Sequence, residues 1–111
     1  MFKVERNGAV DILSGDGPVS GESLDSLRAL WKSQVRGVPP RVVFDMAEIP
    51  LVDSRGLEWL CDLHDECLVR GGRLVLAAPT ALCGEILHLT GTDRYCRVMA
   101  DVQSGIGGFS L

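Results

Sequence analysis

The sequence predicts an α/β domain, on three observations. Arg41-Val42-Val43-Phe44-Asp45-Met46 and Arg73-Leu74-Val75-Leu76-Ala77-Ala78 are short, continuous apolar runs, which is how the buried strands of an α/β sheet read. Before and between them, residues 22–36 and 55–70 carry apolar side chains at spacings of three and four, the period of helices lying on such a sheet. Near the start, Asn7-Gly8 separates two short apolar/polar segments, the strongest local signal for a hairpin. At 111 residues the chain suits one domain with one core, and 46% hydrophobic content argues against disorder.

Phe2-Lys3-Val4-Glu5 and Ala9-Val10-Asp11-Ile12-Leu13 should pair antiparallel near the sheet edge. Ser14-Gly15-Asp16-Gly17-Pro18 then breaks both helix and strand; it is glycine-rich, but neither phosphate-binding glycine motif is present. The first helix carries Leu24, Leu27, Leu30, Trp31 and Val35 on its stripe, with Ser20 or Ser23 as cap and Gly37 as stop. Its Glu22, Asp25, Arg28 and Lys32 form a solvated face. Val38-Pro39-Pro40 resets the chain before the strand at 41–46, and Pro50 prevents regular structure from continuing after it.

The second helix, from about Arg55 to Arg70, is closed by Gly71-Gly72. A helical wheel puts Leu57, Leu60, Cys61, His64, Cys67 and Leu68 on one side and Glu58, Asp62, Asp65 and Glu66 opposite. Trp59 and Leu63 fall on the flank, where they either form part of a docking surface or pack under a neighbouring loop. After the strand at 73–78, Pro79-Thr80 opens a third helix with Leu82, Ile86 and Leu89 as its stripe and Gly91 as its end. Arg97-Val98-Met99 can supply a last strand. Residues 103–111 read as a glycine-rich, mobile tail in which Ile106 and Phe109 could dock, so the domain is expected to span 1–102.

Net charge is −4 with acids and bases interspersed, which leaves no electrostatic footprint for nucleic acid. No apolar run approaches the ~18 residues of a membrane span and the first residues lack a signal-peptide core, so a cytoplasmic protein is expected. Cys61, Cys67, Cys83 and Cys96 contain no C-x-x-C pair; they read as reduced, mostly buried thiols, with no metal site and no cofactor expected.

The pattern turns at Asp53-Ser54-Arg55-Gly56-Leu57, where the period changes from that of a strand to that of a helix. Asp53 or Ser54 falls at the N-cap, where a side-chain oxygen accepts a hydrogen bond from a first-turn N–H. A hydroxyl there either caps the helix or is a modification site, because a helix N-terminus tolerates a phosphate.

Four stretches together resemble the STAS domain of anti-sigma factor antagonists and sulphate-transporter tails: Val43-Phe44-Asp45, Val52-Asp53-Ser54-Arg55-Gly56-Leu57, Gly71-Gly72-Arg73-Leu74-Val75-Leu76 and Leu87-His88-Leu89-Thr90-Gly91. The resemblance covers nearly the whole chain. It implies a mixed sheet of four to five strands with helices packed mainly on one face. It also implies that Ser54 is phosphorylated by a partner that is both serine kinase and anti-sigma factor. The unphosphorylated form would bind that partner and free a sigma factor, through a surface made of Asp53, Ser54, Arg55, Gly56 and Trp59. Arg55 departs from the family, which usually carries a serine or another small residue there.

Two other roles compete. One is a STAS adaptor that is never phosphorylated, as a subunit of a lipid or solute ABC transporter or of a signalling assembly. The other is an enzyme, with His64 beside Cys61 or Cys67, or His88 beside Cys83 or Glu85, as base and nucleophile. Because His64, Cys61 and Cys67 share the apolar stripe, packed side chains are the better reading, and no catalytic residue is expected. Nucleotide binding, a property of some STAS domains, has no residue here pointing to it.

Overall fold

The computed structural model describes residues 1–109 of the chain. Strands β1 (Phe2–Asn7), β2 (Val10–Gly15), β3 (Arg41–Asp45), β4 (Arg73–Ala77) and β5 (Arg97–Met99) form one five-stranded mixed sheet whose spatial order follows the sequence. β1 runs antiparallel to β2, and every later neighbour is parallel. The hairpin closes one residue beyond the expected Asn7-Gly8: Asn7 pairs with Val10, and Gly8, at φ +62°, occupies a left-handed position that a Cβ would strain.

Helix α1 (Leu24–Gln34) joins β2 to β3 and α2 (Ser54–Val69) joins β3 to β4. Helix α3 (Ala81–Leu89) and the single turn α4 (Thr92–Tyr95) join β4 to β5. Parallel crossovers are right-handed, so a sheet that grows in one direction collects these helices on one face. There Leu13, Val42, Phe44, Leu74 and Leu76 meet Leu27, Trp31, Trp59, Leu60 and Leu87 in the main core.

The opposite face is closed by α5 (Val102–Gly107), which corrects the expectation of a mobile tail beginning at residue 103. Val102, Ile106 and Phe109 pack on Val10, Val43, Val75 and Ala77, so the boundary expected after residue 102 falls inside a docked helix. Ser110 and Leu111 of that tail lie outside the described residues. Five residues in the run Val-Gln-Ser-Gly-Ile-Gly are weak helix formers; Asp101, accepting from Ser104 N at 2.7 Å, and the sheet beneath supply what propensity lacks.

Two stripes also differ from expectation. On α2 the buried positions are Gly56, Trp59, Leu60, Leu63 and Cys67, while Leu68 is 52% exposed. Trp59 and Leu63 are therefore core: the Trp59 ring meets Phe44 edge-on at a centroid distance of 6.4 Å. On α3, Cys83 and Leu87 are buried, whereas Leu82 and Leu89 are exposed and Ile86 is half-buried. The end of α2 is as expected: Gly71 takes φ +81° and Gly72 N donates to Cys67 O at 2.7 Å.

Candidate functional site at the start of α2

Asp53, and not Ser54, caps α2. Its Oδ1 accepts from Gly56 N at 2.8 Å, which satisfies one of the unpaired first-turn donors. Its Oδ2 accepts from Gly21 N at 3.2 Å, in the loop that precedes α1. One carboxylate thus ties the starts of two neighbouring helices together.

The backbone repeats the tie. Val19 N donates to Leu51 O at 2.9 Å and Asp53 N donates to Val19 O at 3.1 Å, a parallel bridge between Val19 and Val52 just beyond the end of β2. Gly56 is pressed into this bridge: a Cβ on it would lie 2.2 Å from the Val19 carbonyl oxygen, so only glycine fits.

On this anchored frame Ser54 is exposed at the first residue of α2. Arg55 is exposed beside it and lies across Gly21, where a Cβ would meet the Arg55 Cδ and Nη1 atoms at 3.2 Å. Ser20, Gly21, Glu22, Asp53 and Arg55 line a shallow surface depression between the starts of α1 and α2. The Asp53 carboxyl is held below its ordinary value of 3.8, first by the Gly56 N–H, with help from the Gly21 N–H and the Arg55 charge, so it is an anion at neutral pH.

The structure therefore brings Asp53, Ser54, Arg55 and Gly56 together, with Gly56 acting through its backbone. Trp59, 4% exposed, is not part of the outward surface. Ser20, Gly21 and Glu22 complete the depression. Sequence reading missed them because they precede Asp53 by about thirty positions, and only the loop's glycine hinted at a close approach.

Of the cysteines and histidines singled out for an enzymatic reading, four have packing or hydrogen-bond partners outside those pairs. Cys67 is buried and its thiol is pushed up to about 12 by desolvation, and the Cys83 thiol donates to Ile49 O at 3.3 Å. His88 is turned to Asp93, at 2.9 Å, and the His64 ring packs on Tyr95 at a centroid distance of 5.0 Å. Among the described residues no three His, Cys, Asp or Glu side chains gather as metal ligands, and no helix is long and apolar enough to cross a membrane.

Comparison with known proteins bears on the fold that carries these residues. A model of the STAS domain matches residues 1–105. A Thermotoga maritima protein crystallised as a candidate anti-sigma factor antagonist superposes with a TM-score of 0.87 at 16% identity, covering 96% of this chain and 92% of its own. The unphosphorylated form of the anti-sigma factor antagonist SpoIIAA, a Bacillus cell fate determinant, gives 0.72 at 14% identity over 99% of this chain and 98% of its own. A sulfate transporter family protein from Wolinella succinogenes gives 0.76 at 20% identity over 93% and 86%. No curated protein sequence matches significantly. At these identities the solved structures speak for the fold, while the family match spans nearly all of the sequence: the chain belongs to the STAS domain family.

Proposed function

We propose that this STAS domain is an anti-sigma factor antagonist, a cytoplasmic protein-binding switch controlled by phosphorylation of Ser54. The observation that carries the reading is an exposed hydroxyl on a rigid frame: Ser54 opens α2 while Asp53 performs the capping, so the hydroxyl is free for chemistry. The likeness to SpoIIAA, a protein solved in phosphorylated and unphosphorylated forms, supports it.

A phosphate on Ser54 adds about −1.5 to −2 charges. The positive end of α2 accommodates it in the free protein. A partner seated over Ser54 meets that dianion beside Asp53, and leaving it uncompensated at a dry interface costs several kcal/mol. Asp53 positions the serine, and the base for phosphoryl transfer belongs to the kinase. Arg55 supplies a local counter-charge, so the switch here is softer than one with a small residue at that position.

Intact-mass analysis of the protein from its own source cells, wild type against Ser54→Ala, tests the reading. A species heavier by one phosphate that vanishes in the variant supports the switch, as does loss of a serine kinase from pull-downs with Ser54→Asp. An unmodified protein across growth and stress conditions, with the same partners for Ser54→Asp, overturns it and leaves a constitutive adaptor.

A further inference from the structure

β1 is the outer strand of the sheet, paired with β2 on one side and with no strand on the other among the described residues. Opposed residues in an antiparallel ladder alternate between pairs that exchange both backbone hydrogen bonds and pairs that exchange none. The tight Gly8-Ala9 turn makes Asn7 and Val10 an exchanging pair, so Glu5 with Ile12 and Lys3 with Ser14 exchange as well. The amides and carbonyls of Phe2, Val4 and Arg6 therefore point away from β2, toward the free edge. Every second residue along the edge offers a donor and an acceptor, the template for one more antiparallel strand.

The side chains say which strand fits. An edge lysine by itself discourages pairing. Here Lys3 is followed at the next position on the same face by Glu5, with Nζ and Oε1 2.8 Å apart and both side chains mostly exposed. A second β1 related by a two-fold axis normal to the sheet, with Val4 opposite the partner's Val4, sets Lys3 opposite the partner's Glu5. On the other face it sets Arg6 opposite the partner's Phe2. The outward-facing groups of Phe2, Val4 and Arg6 all find partners in this register. A slip that keeps those groups in phase centres the axis on Lys3 or on Glu5, sets like charges directly opposite one another and shortens the overlap.

We propose that the chain self-associates edge to edge through β1, in the register centred on Val4, to give one continuous sheet across two copies. Ser54 lies at the end of the domain where the parallel strands finish, so the two-fold rotation sends the two copies of that serine to opposite ends of the shared sheet. Both remain open, and the dimer is bivalent for whatever binds there. The association is independent of the role of Ser54 and survives if that role fails.

Sedimentation velocity of the full chain over a concentration series tests it. Wild type should shift from monomer to dimer as concentration rises. In Val4→Pro the ring replaces an amide that points outward, so the β1–β2 ladder is spared while the edge is blocked. Lys3→Glu sets acids opposite acids. Each variant should raise the dimer dissociation constant by about tenfold or more with an unchanged circular dichroism spectrum. Lys3→Glu combined with Glu5→Lys restores opposite charges and should return the constant to within a few-fold of wild type. A wild type that is monomeric at every concentration overturns the proposal, as does a dimer indifferent to the substitutions. If Val4→Pro does not fold, Lys3→Glu and its charge-swapped rescue decide alone.

Discussion

Helices α2 and α5 start at aspartates that use the same device: Asp53 accepts from Gly56 N at 2.8 Å and Asp101 from Ser104 N at 2.7 Å. Backbone N–H donors hold both carboxyls below their ordinary value of 3.8. Each helix also brings a glycine close to its support. What differs is reach. Asp53 also grips Gly21 in a distant loop, whereas the Asp101 bonds stay within its own turn. Gly56 faces a backbone carbonyl that cannot move aside, while Gly105 faces the methyls of Val43 and Val75. After the cap, α2 presents exposed Ser54 and α5 lays half-buried Val102 on the sheet. A capping aspartate by itself marks only a helix start; a platform arises where the cap also cross-links a second segment.

The contrast can be broken most forcefully in the core. Trp59→Ala, which empties the space against Phe44, should cost about 3–5 kcal/mol. Ile106→Ala on half-buried α5 should cost roughly 1–2 kcal/mol, since less of the side chain leaves contact. Denaturant titration of both variants checks the ranking, and near-equal losses would mean that α5 carries more of the fold than its packing implies. The glycines come next. Gly56→Ala drives a Cβ into the Val19 carbonyl and should cost about 3 kcal/mol. Gly105→Ala places its Cβ 3.3 Å from the Val43 methyls and, helped by about 1 kcal/mol of helix propensity, should be close to neutral.

The caps can be separated by pH. A folded-state value below the unfolded one gives stability that is present above 3.8 and lost as pH falls through the folded value. Asp53→Asn and Asp101→Asn should each flatten the acid limb of Tm against pH, and the double variant should show the sum. The alkaline limb instead belongs to two thiols and to Tyr95, whose phenol is raised to about 12 first by its hydrogen bond to Asp65. Burial pushes Cys67 and Cys96 up to about 12 in the folded state, so their contribution is intact below the ordinary value of 9.0 and declines from there toward about 12. The smallest effect is the most informative for function: Ser54→Ala should stay within about 0.5 kcal/mol of wild type, because the hydroxyl is exposed and the cap is elsewhere.

The strands and the start of α2 were legible because they rest on local patterns: continuous apolar runs, a hairpin turn and an aspartate before a helical period. The stripe of α2 was not, because Gly56 looks like a spacer until its contact with Val19 is seen. Once it is counted as buried, the positions 56, 59, 60, 63 and 67 form a regular seam. α3 misled for another reason: Ala-Leu-Cys-Gly-Glu-Ile-Leu-His-Leu is apolar nearly all round, so no face is unique until Ile49 takes the Cys83 side. α5 contradicted its own propensities and was visible only in the Asp101 cap. Of the candidate site, the aspartate, the serine and their order were readable; the Gly21 contribution was not, since no local pattern pairs residues so far apart.

The strand order that equals the chain order has a consequence for synthesis. As the polypeptide emerges from its N-terminus, the face under α1 and α2 can close once β4 is out. Val10, Val43, Val75 and Ala77 keep their other side open to water until residues 102–109 arrive. For that interval the nascent chain is half a domain with a bare apolar sheet, so the sequence around Asp101 sets how long the young protein needs shielding from its neighbours.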